Sequence, residues 1–366
     1  MTQPAAKRIR VLIVEDSAAT RMLLERIVAD DPRLEVAASV ASGEDALNVI
    51  DRVAPDVISM DIRLPGIDGF ETTRRIMAER PTPIVVISAS IEAEDLAISM
   101  NALRAGALSV LEKPVGLSHA AYQAVAQRMC RTLVLMSDVK LVRQRGMRSP
   151  TIGMHRTARA RSSPPQGLRC VRRSPGKILG LVASTGGPNA LVELLGDLGA
   201  DYPLPILVVQ HITPAFLNGF VRWLDNTVEL PVRAAADGTV PEPGNVYVAP
   251  ADRHLRLDRW RLRLVDEPAV SGQRPSGTVL FESMARCAGA GAVAVLLTGM
   301  GDDGAEGMRQ IHVAGGHTIA EHETTAVVYG MPAAAISRGA VCESLPLPMI
   351  APRLRELAIR RRTAST

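Results

Sequence analysis

Two runs of alternating strand and helix patterns, joined by a segment without acidic residues, constrain this chain more than any other feature. In the first run, short apolar segments occur at 10–16 (RVLIVED), 35–40 (EVAASV), 56–61 (DVISMD), 83–89 (PIVVISA) and 108–114 (LSVLEKP). Between them lie stretches such as ATRMLLERIVAD and GEDALNVIDRVA, with apolar residues at three- and four-residue spacing. Such alternation predicts a five-stranded parallel sheet with helices on both faces. A longer helical run, roughly 118–144, follows.

The second run starts at Lys177 with KILGLVAS, a helix from Pro188, PILVVQH, a helix around 214–224 and NVYVAP. RHLRLDRWRLRLV then alternates apolar and polar residues, which predicts an antiparallel hairpin. The pattern resumes with a helix near 278–288, VAVLLTG, a helix near 304–314, GHTIAEH and a last helix from about 350. The expected fold class is therefore α/β throughout, the second part being doubly wound and mostly parallel with a β-hairpin insertion. At 366 residues and 47% hydrophobic content, each part can bury its own core. The expected domains are 1–128 and 177–362, with a helical extension and disordered basic linker over 129–176.

Charge sharpens that division. Of the 42 Lys and Arg residues, 11 fall between Lys140 and Lys177, where no Asp or Glu occurs, leaving 31 basic against 38 acidic residues elsewhere. The sequence pI of 9.1 thus reflects one segment. It is read first as a solvated tether, with docking on an acidic protein surface or nucleic-acid binding as the other readings, and no nucleic-acid partner is expected. No apolar stretch approaches the roughly 20 residues needed to cross a bilayer, so membrane insertion is not expected and the cytoplasm is the expected location. Cys130, Cys170, Cys287 and Cys342 lie far apart, which suggests reduced thiols rather than a zinc site or disulfide framework.

In open parallel sheets, functional residues gather beyond the carboxyl ends of the strands. In the first run this places Glu15, Asp16, Asp61, Ser88 and Lys113 together. Clustered carboxylates need a counter-charge, and hard oxygen donors suit Mg²⁺. A metal, Lys113 and the Ser88 hydroxyl would stabilise a phosphoryl group arriving on Asp61. Individually these acids also fit helix caps, and Asp68–Gly69 fits a turn. As an ordered set ending in Lys113 and Pro114, they resemble the flavodoxin-like receiver domain of response regulators. That resemblance implies Asp61 as phosphorylation site and Glu15, Asp16, Asp61 and the backbone carbonyl of Arg63 as Mg²⁺ ligands. Receivers commonly carry an aromatic or histidine three positions before the lysine; here that position is Val110.

The same rule places Ser184, His211 and the aspartates of MGDDG at three strand ends of the second run. A neutral serine needs a base within reach, and the base needs a carboxylate to fix its tautomer. The order Ser, His, Asp fits neither α/β-hydrolases nor the chymotrypsin or subtilisin types. Ser184 and Thr185 could equally serve only to start a helix, with Gly187 and Pro188 at the cap and first turn. An anion site at that helix start is a third reading, although no GK[ST] follows. His211 is preferred as base because it ends a strand before a proline-containing loop, with His322 its competitor.

ASTGG at 183–187, QHITPAF at 210–216, APADRHLRL at 249–257, RPSGTVLF at 274–281, LLTGMGDDGAEGM at 296–308 and GMPAAAI at 330–336 together resemble the chemotaxis protein-glutamate methylesterases. The resemblance implies Ser184 as nucleophile, His211 as base, Asp303 as orienting acid, and the N–H groups of Thr185 and Met300 as oxyanion hole. It further implies hydrolysis of glutamyl methyl esters on methyl-accepting chemoreceptors, deamidation of receptor glutamines, a chemotaxis histidine kinase as phosphodonor, and no cofactor for the esterase. Asp302 stands where the family often has asparagine, which leaves open which aspartate meets His211. PSGTVLF replaces PSVDVLF, which implies an acidic residue missing near the substrate groove. The competing reading is a phospho-dependent adaptor or regulator with a vestigial esterase site.

Overall fold

The computed structural model describes residues 7–88, 105–114, 119–139 and 177–359. The basic segment expected to act as a linker, including His155, lies outside them, apart from its flanks.

The first sheet comprises β1 (Ile9–Val14), β2 (Leu34–Val40), β3 (Val57–Met60), β4 (Ile84–Ser88) and β5 (Ser109–Glu112), all parallel in the order β2-β1-β3-β4-β5. Helices α1 (Ala18–Asp30), α2 (Gly43–Val53), α3 (Gly69–Glu79) and α4 (His119–Ser137) accompany it. The near-continuous apolar strands are explained by burial on both sides. Leu12 and Val14 pack with Ala46, Ile50 and Ile76 of α2 and α3, whereas Val11 and Ile13 pack with Leu24, Val28, Met129 and Leu133 of α1 and α4. Ser17, Ser42 and Asp68 each accept from an amide three residues on, which fixes the starts of α1, α2 and α3. The last helix ends at Ser137, and residues 140–144 of the run expected to reach 144 lie outside the described residues.

The second sheet has seven strands, β6 (Ile178–Ala183), β7 (Ile206–Gln210), β8 (Val232–Ala234), β9 (Val246–Val248), β12 (Ala292–Leu296), β13 (His317–Glu321) and β14 (Glu343–Leu345). Their order is β14-β13-β12-β6-β7-β9-β8, and every pairing is parallel. Strands β10 (His254–Asp258) and β11 (Arg261–Val265) form the expected hairpin as a separate antiparallel pair. Helices α5 (Gly187–Leu198), α6 (Pro214–Asp225) and α10 (Leu347–Ile359) cover one face, packing Leu191, Phe220 and Leu354 against Leu179 and Leu181. Helices α7 (Gly277–Ala288), α8 (Ala305–Val313) and α9 (Met331–Ser337), together with the hairpin, cover the other, around Ile178 and Val182.

The pattern did not show β8, β14 or α9, because three-residue strands and a seven-residue alanine-rich helix are too short to display a period. Pro348 and Pro352 masked the true start of α10. Cys130 and Cys287 are free thiols as expected, and Cys170 lies outside the described residues. Among the described residues no helix is long and apolar enough to cross a membrane.

Candidate active site

The chain runs outward from β6 to β7 and later returns to β12 on the opposite side of β6. Loops leaving β6 and β12 therefore diverge and open a crevice at the carboxyl edge of the sheet. Ser184 follows β6, the segment 297–304 follows β12, and His211 follows β7.

Backbone bonds lock these three loops together. Ser184 N–H donates to Thr298 O (3.0 Å) and His211 N–H to Ala183 O (3.0 Å). The buried Gln210 amide spans the gap, donating from Nε2 to Ser184 O (2.8 Å) and His211 O (3.0 Å). Gly299 lies so close that a Cβ there would stand 2.7 Å from that of Ser184. The helix α5 is capped by Gly186 in the left-handed region (φ +78°), with no side-chain cap bond. Ser184 and Thr185 thus do not cap it, and the cap lies one residue earlier than expected. Among the described residues the Ser184 hydroxyl makes no hydrogen bond, and neither the Thr185 nor the Met300 N–H donates one.

Asp303, not Asp302, meets the histidine: its Oδ2 lies 2.9 Å from His211 Nε2. Three further donors converge on this buried carboxylate, namely Ser276 Oγ (2.6 Å), Gly277 N (2.6 Å) and Thr278 N (3.1 Å). Burial opposes its ionisation, but bonds from His211, Ser276 and Gly277 outweigh that and hold the carboxyl at about 2. An ionised carboxylate only accepts, so the His211 proton sits on Nε2 and the lone pair on Nδ1. That Nδ1 is buried and has no hydrogen-bond partner among the described residues. It stands on the strand end beside Ser184, although no bond joins the two side chains here. Asp302 instead pairs with Arg338 at the surface (2.6 Å). His322, the competing base, sits in an exposed turn bonded to Thr324.

The first sheet has the same geometry: the strand order reverses between β1 and β3, and Glu15 and Asp61 follow those strands. Carboxylate oxygens of Glu15, Asp16 and Asp61 lie within 4.8 Å of one another. Lys113 Nζ reaches Glu15 Oε2 at 2.7 Å and Asp61 Oδ2 at 2.8 Å. Burial pushes the carboxyls of Glu15 and Asp61 up, and Lys113 opposes the push. Amides of Ile62 and Arg63 donate to Asp61. Ser88 is buried beside this group, its carbonyl accepting from Lys113 N (2.9 Å). Gly69 is required here, because a Cβ would lie 2.0 Å from Asp61 O. Val110 is buried within β5. An all-oxygen set around a buried acceptor fits Mg²⁺.

Residues 11–123 match the response regulator receiver domain family, and 179–354 match the CheB methylesterase family. A protein-glutamate methylesterase/protein-glutamine glutaminase of Paramagnetospirillum magneticum is 54% identical over 96% of this chain and 98% of its own. The chain belongs to the CheB methylesterase family. Another CheB-type relative, a protein-glutamate methylesterase/protein-glutamine glutaminase of Myxococcus xanthus, is 44% identical over 94% of this chain and 96% of its own. The CheB catalytic domain of Thermotoga maritima is 38% identical, covers 50% of this chain and all of its own, with a TM-score of 0.48.

Several residues of this CheB-family site were not singled out from the sequence. Thr278, which stands at the acidic position of PSVDVLF, is buried, and its hydroxyl accepts from Gly304 N (2.8 Å) while its N–H serves Asp303. The departure from PSVDVLF therefore lies against the carboxylate of Asp303. Gly277 fits because a Cβ would come 2.4 Å from Val182. Thr298 links the Ser184 turn to the 322–330 segment, its hydroxyl donating to Thr185 O (2.9 Å) and accepting from Val328 N (2.9 Å). Only the third dimension brings Ser276, Thr298 and Gln210 to the site. The quoted motifs RPSGTVLF, LLTGMGDDG and QHITPAF were the available signal.

Proposed function

We propose that the chain is a phosphorylation-activated protein-glutamate methylesterase that also deamidates glutamine, acting by acyl transfer through Ser184. The observation that carries this is the ionised Asp303 holding His211 through Nε2, which leaves a buried, unpartnered Nδ1 at the strand end next to Ser184. Ser184 Oγ attacks the glutamyl ester carbonyl while His211 Nδ1 takes its proton. The tetrahedral oxyanion accepts from the free N–H groups of Thr185 and Met300. On collapse the C–O bond to methoxide breaks, and the imidazolium delivers its proton to release methanol. Water, deprotonated by His211, then cleaves the acyl-serine to glutamate and restores the hydroxyl. With glutamine as substrate the same sequence releases ammonia.

The names of the CheB relatives support action on protein glutamate esters and glutamines; the substrate is taken to be a methyl-accepting chemoreceptor and the phosphodonor a chemotaxis histidine kinase. Mg²⁺ held by Glu15, Asp16, Asp61 and the Arg63 carbonyl would neutralise phosphoryl charge, and Lys113 and Ser88 would hold the phosphoryl oxygens on Asp61. The esterase residues need no cofactor for the steps above. Regulation is supported by Val327, which packs against the receiver cluster and also borders Gly186 of the nucleophile turn. Phosphorylation of Asp61 shifts that contact toward an open site. An adaptor with a vestigial site is not favoured, since all three side chains are present and the acid–base pair is formed.

The test measures methanol release from methylated receptor membranes. Ser184→Ala should abolish it, and acetyl phosphate should stimulate the parent but not Asp61→Asn. Retained turnover in Ser184→Ala would overturn the chemistry, and a normal response of Asp61→Asn the regulation.

A further inference from the structure

The hairpin insertion has no part in the reaction as derived so far, yet its first residue points back to the triad. His254 begins β10 and is fully buried. Its Nδ1 accepts from Ser276 N (3.1 Å), and its Nε2 stands 3.0 Å from Pro268 O. A carbonyl only accepts, so the proton is on Nε2 and the ring is neutral with a lone pair on Nδ1. Ser276, so held, donates its hydroxyl to Asp303 Oδ1 at 2.6 Å and begins α7. The two residues after it present their N–H groups to the same carboxylate. The hairpin is anchored to α7 a second time, where Leu257 N donates to Ser283 Oγ (2.9 Å).

We infer that His254 is a positioning residue for the esterase: through Ser276 it aligns three donors on Asp303 and thereby fixes the His211 tautomer, making the hairpin part of the catalytic framework. The inference rests on the acyl-transfer reading above. Its physical content is directional. Three of the four donors on Asp303 come from 276–278, and the start of that segment is set by one bond to an imidazole lone pair that no aliphatic side chain can replace. Without it the carboxylate can rotate away from Nε2, and His211 loses its orientation before the substrate arrives.

The experiment compares full-length parent, His254→Asn, His254→Gln, His254→Phe and Ser276→Ala. An asparagine carbonyl can occupy the Nδ1 position and accept from Ser276 N, whereas a glutamine amide reaches the Nε2 position instead. Losing one hydrogen bond to a buried charge corresponds to about tenfold or more in rate. His254→Phe, His254→Gln and Ser276→Ala should therefore each lose about tenfold or more in kcat with KM unchanged, while His254→Asn recovers most of it. The low-field proton resonance of His211 Nε2–H should survive in His254→Asn and move upfield or vanish in Ser276→Ala. Parent-like kcat and an unchanged resonance in Ser276→Ala would overturn the inference, as would equal losses in the Asn and Phe variants. His211→Ala serves as the control: if it keeps full activity, the acyl-transfer reading itself fails. If it is inactive while Ser276→Ala is parent-like, only the role of His254 fails.

Discussion

Glu321 offers a quantitative test of how the catalytic loop is supported. It ends β13, is fully buried, and its Oε2 accepts from Thr298 N at 2.7 Å, while Oε1 has no well-aligned partner among the described residues. Burial pushes this carboxyl from its ordinary 4.5 up to about 7, with the Thr298 amide and Thr325 hydroxyl pulling the other way and Glu193 adding to the push. A folded-state value above the unfolded one means the native protein holds the proton longer. Its contribution to stability is therefore fully present below 4.5 and is lost as pH rises through about 7. The gap amounts to about 3 kcal/mol, at about 1.4 kcal/mol per pH unit. Glu321→Gln keeps the shape and the acceptor for Thr298 but cannot ionise. In urea denaturation, the stability difference between variant and parent should move by about 3 kcal/mol in the variant's favour between pH 4.5 and pH 8. Other titrating groups cancel in that difference. Both tryptophans, Trp223 and Trp260, belong to the second sheet's α6 and hairpin, so fluorescence reports that half of the chain. A difference that stays flat across the pH range would refute the reasoning.

Three further outcomes follow from the site. Gly299→Ala would force a Cβ to 2.4 Å from Met331 Sδ and 2.7 Å from the Ser184 Cβ. It should cost about 1–3 kcal/mol in urea melts and at least tenfold in methanol release. Thr278→Val leaves the buried Gly304 N–H without its acceptor and should destabilise by about 1–3 kcal/mol, read from the same melts. Asp302→Ala breaks only a surface pair with Arg338 and should change stability by less than about 1 kcal/mol and kcat by less than about threefold. A loss comparable to that of Asp303→Ala would contradict the assignment of the acid.

The sequence by itself determined the parallel strands of both sheets apart from β8 and β14, because strands buried on two faces must be apolar throughout and crossover helices must carry a stripe. Leu12 and Val11 point to opposite layers, as do Leu181 and Val182, and that alternation is written into neighbouring residues. It also determined that Glu15, Asp61 and Lys113, and separately Ser184, His211 and Asp303, stand at strand ends, since strand direction follows from the parallel pattern. What it left open was pairing and direction at the level of single atoms. Whether Ser184 caps α5 turned on the left-handed backbone of Gly186, and which of Asp302 and Asp303 meets His211 turned on ångström-scale approach between segments 92 residues apart in the chain. The roles of Thr298, Ser276 and His254 were decided only when the loops closed on one another. A buried carboxylate takes whatever donors the packed fold delivers, and no local pattern encodes which ones arrive.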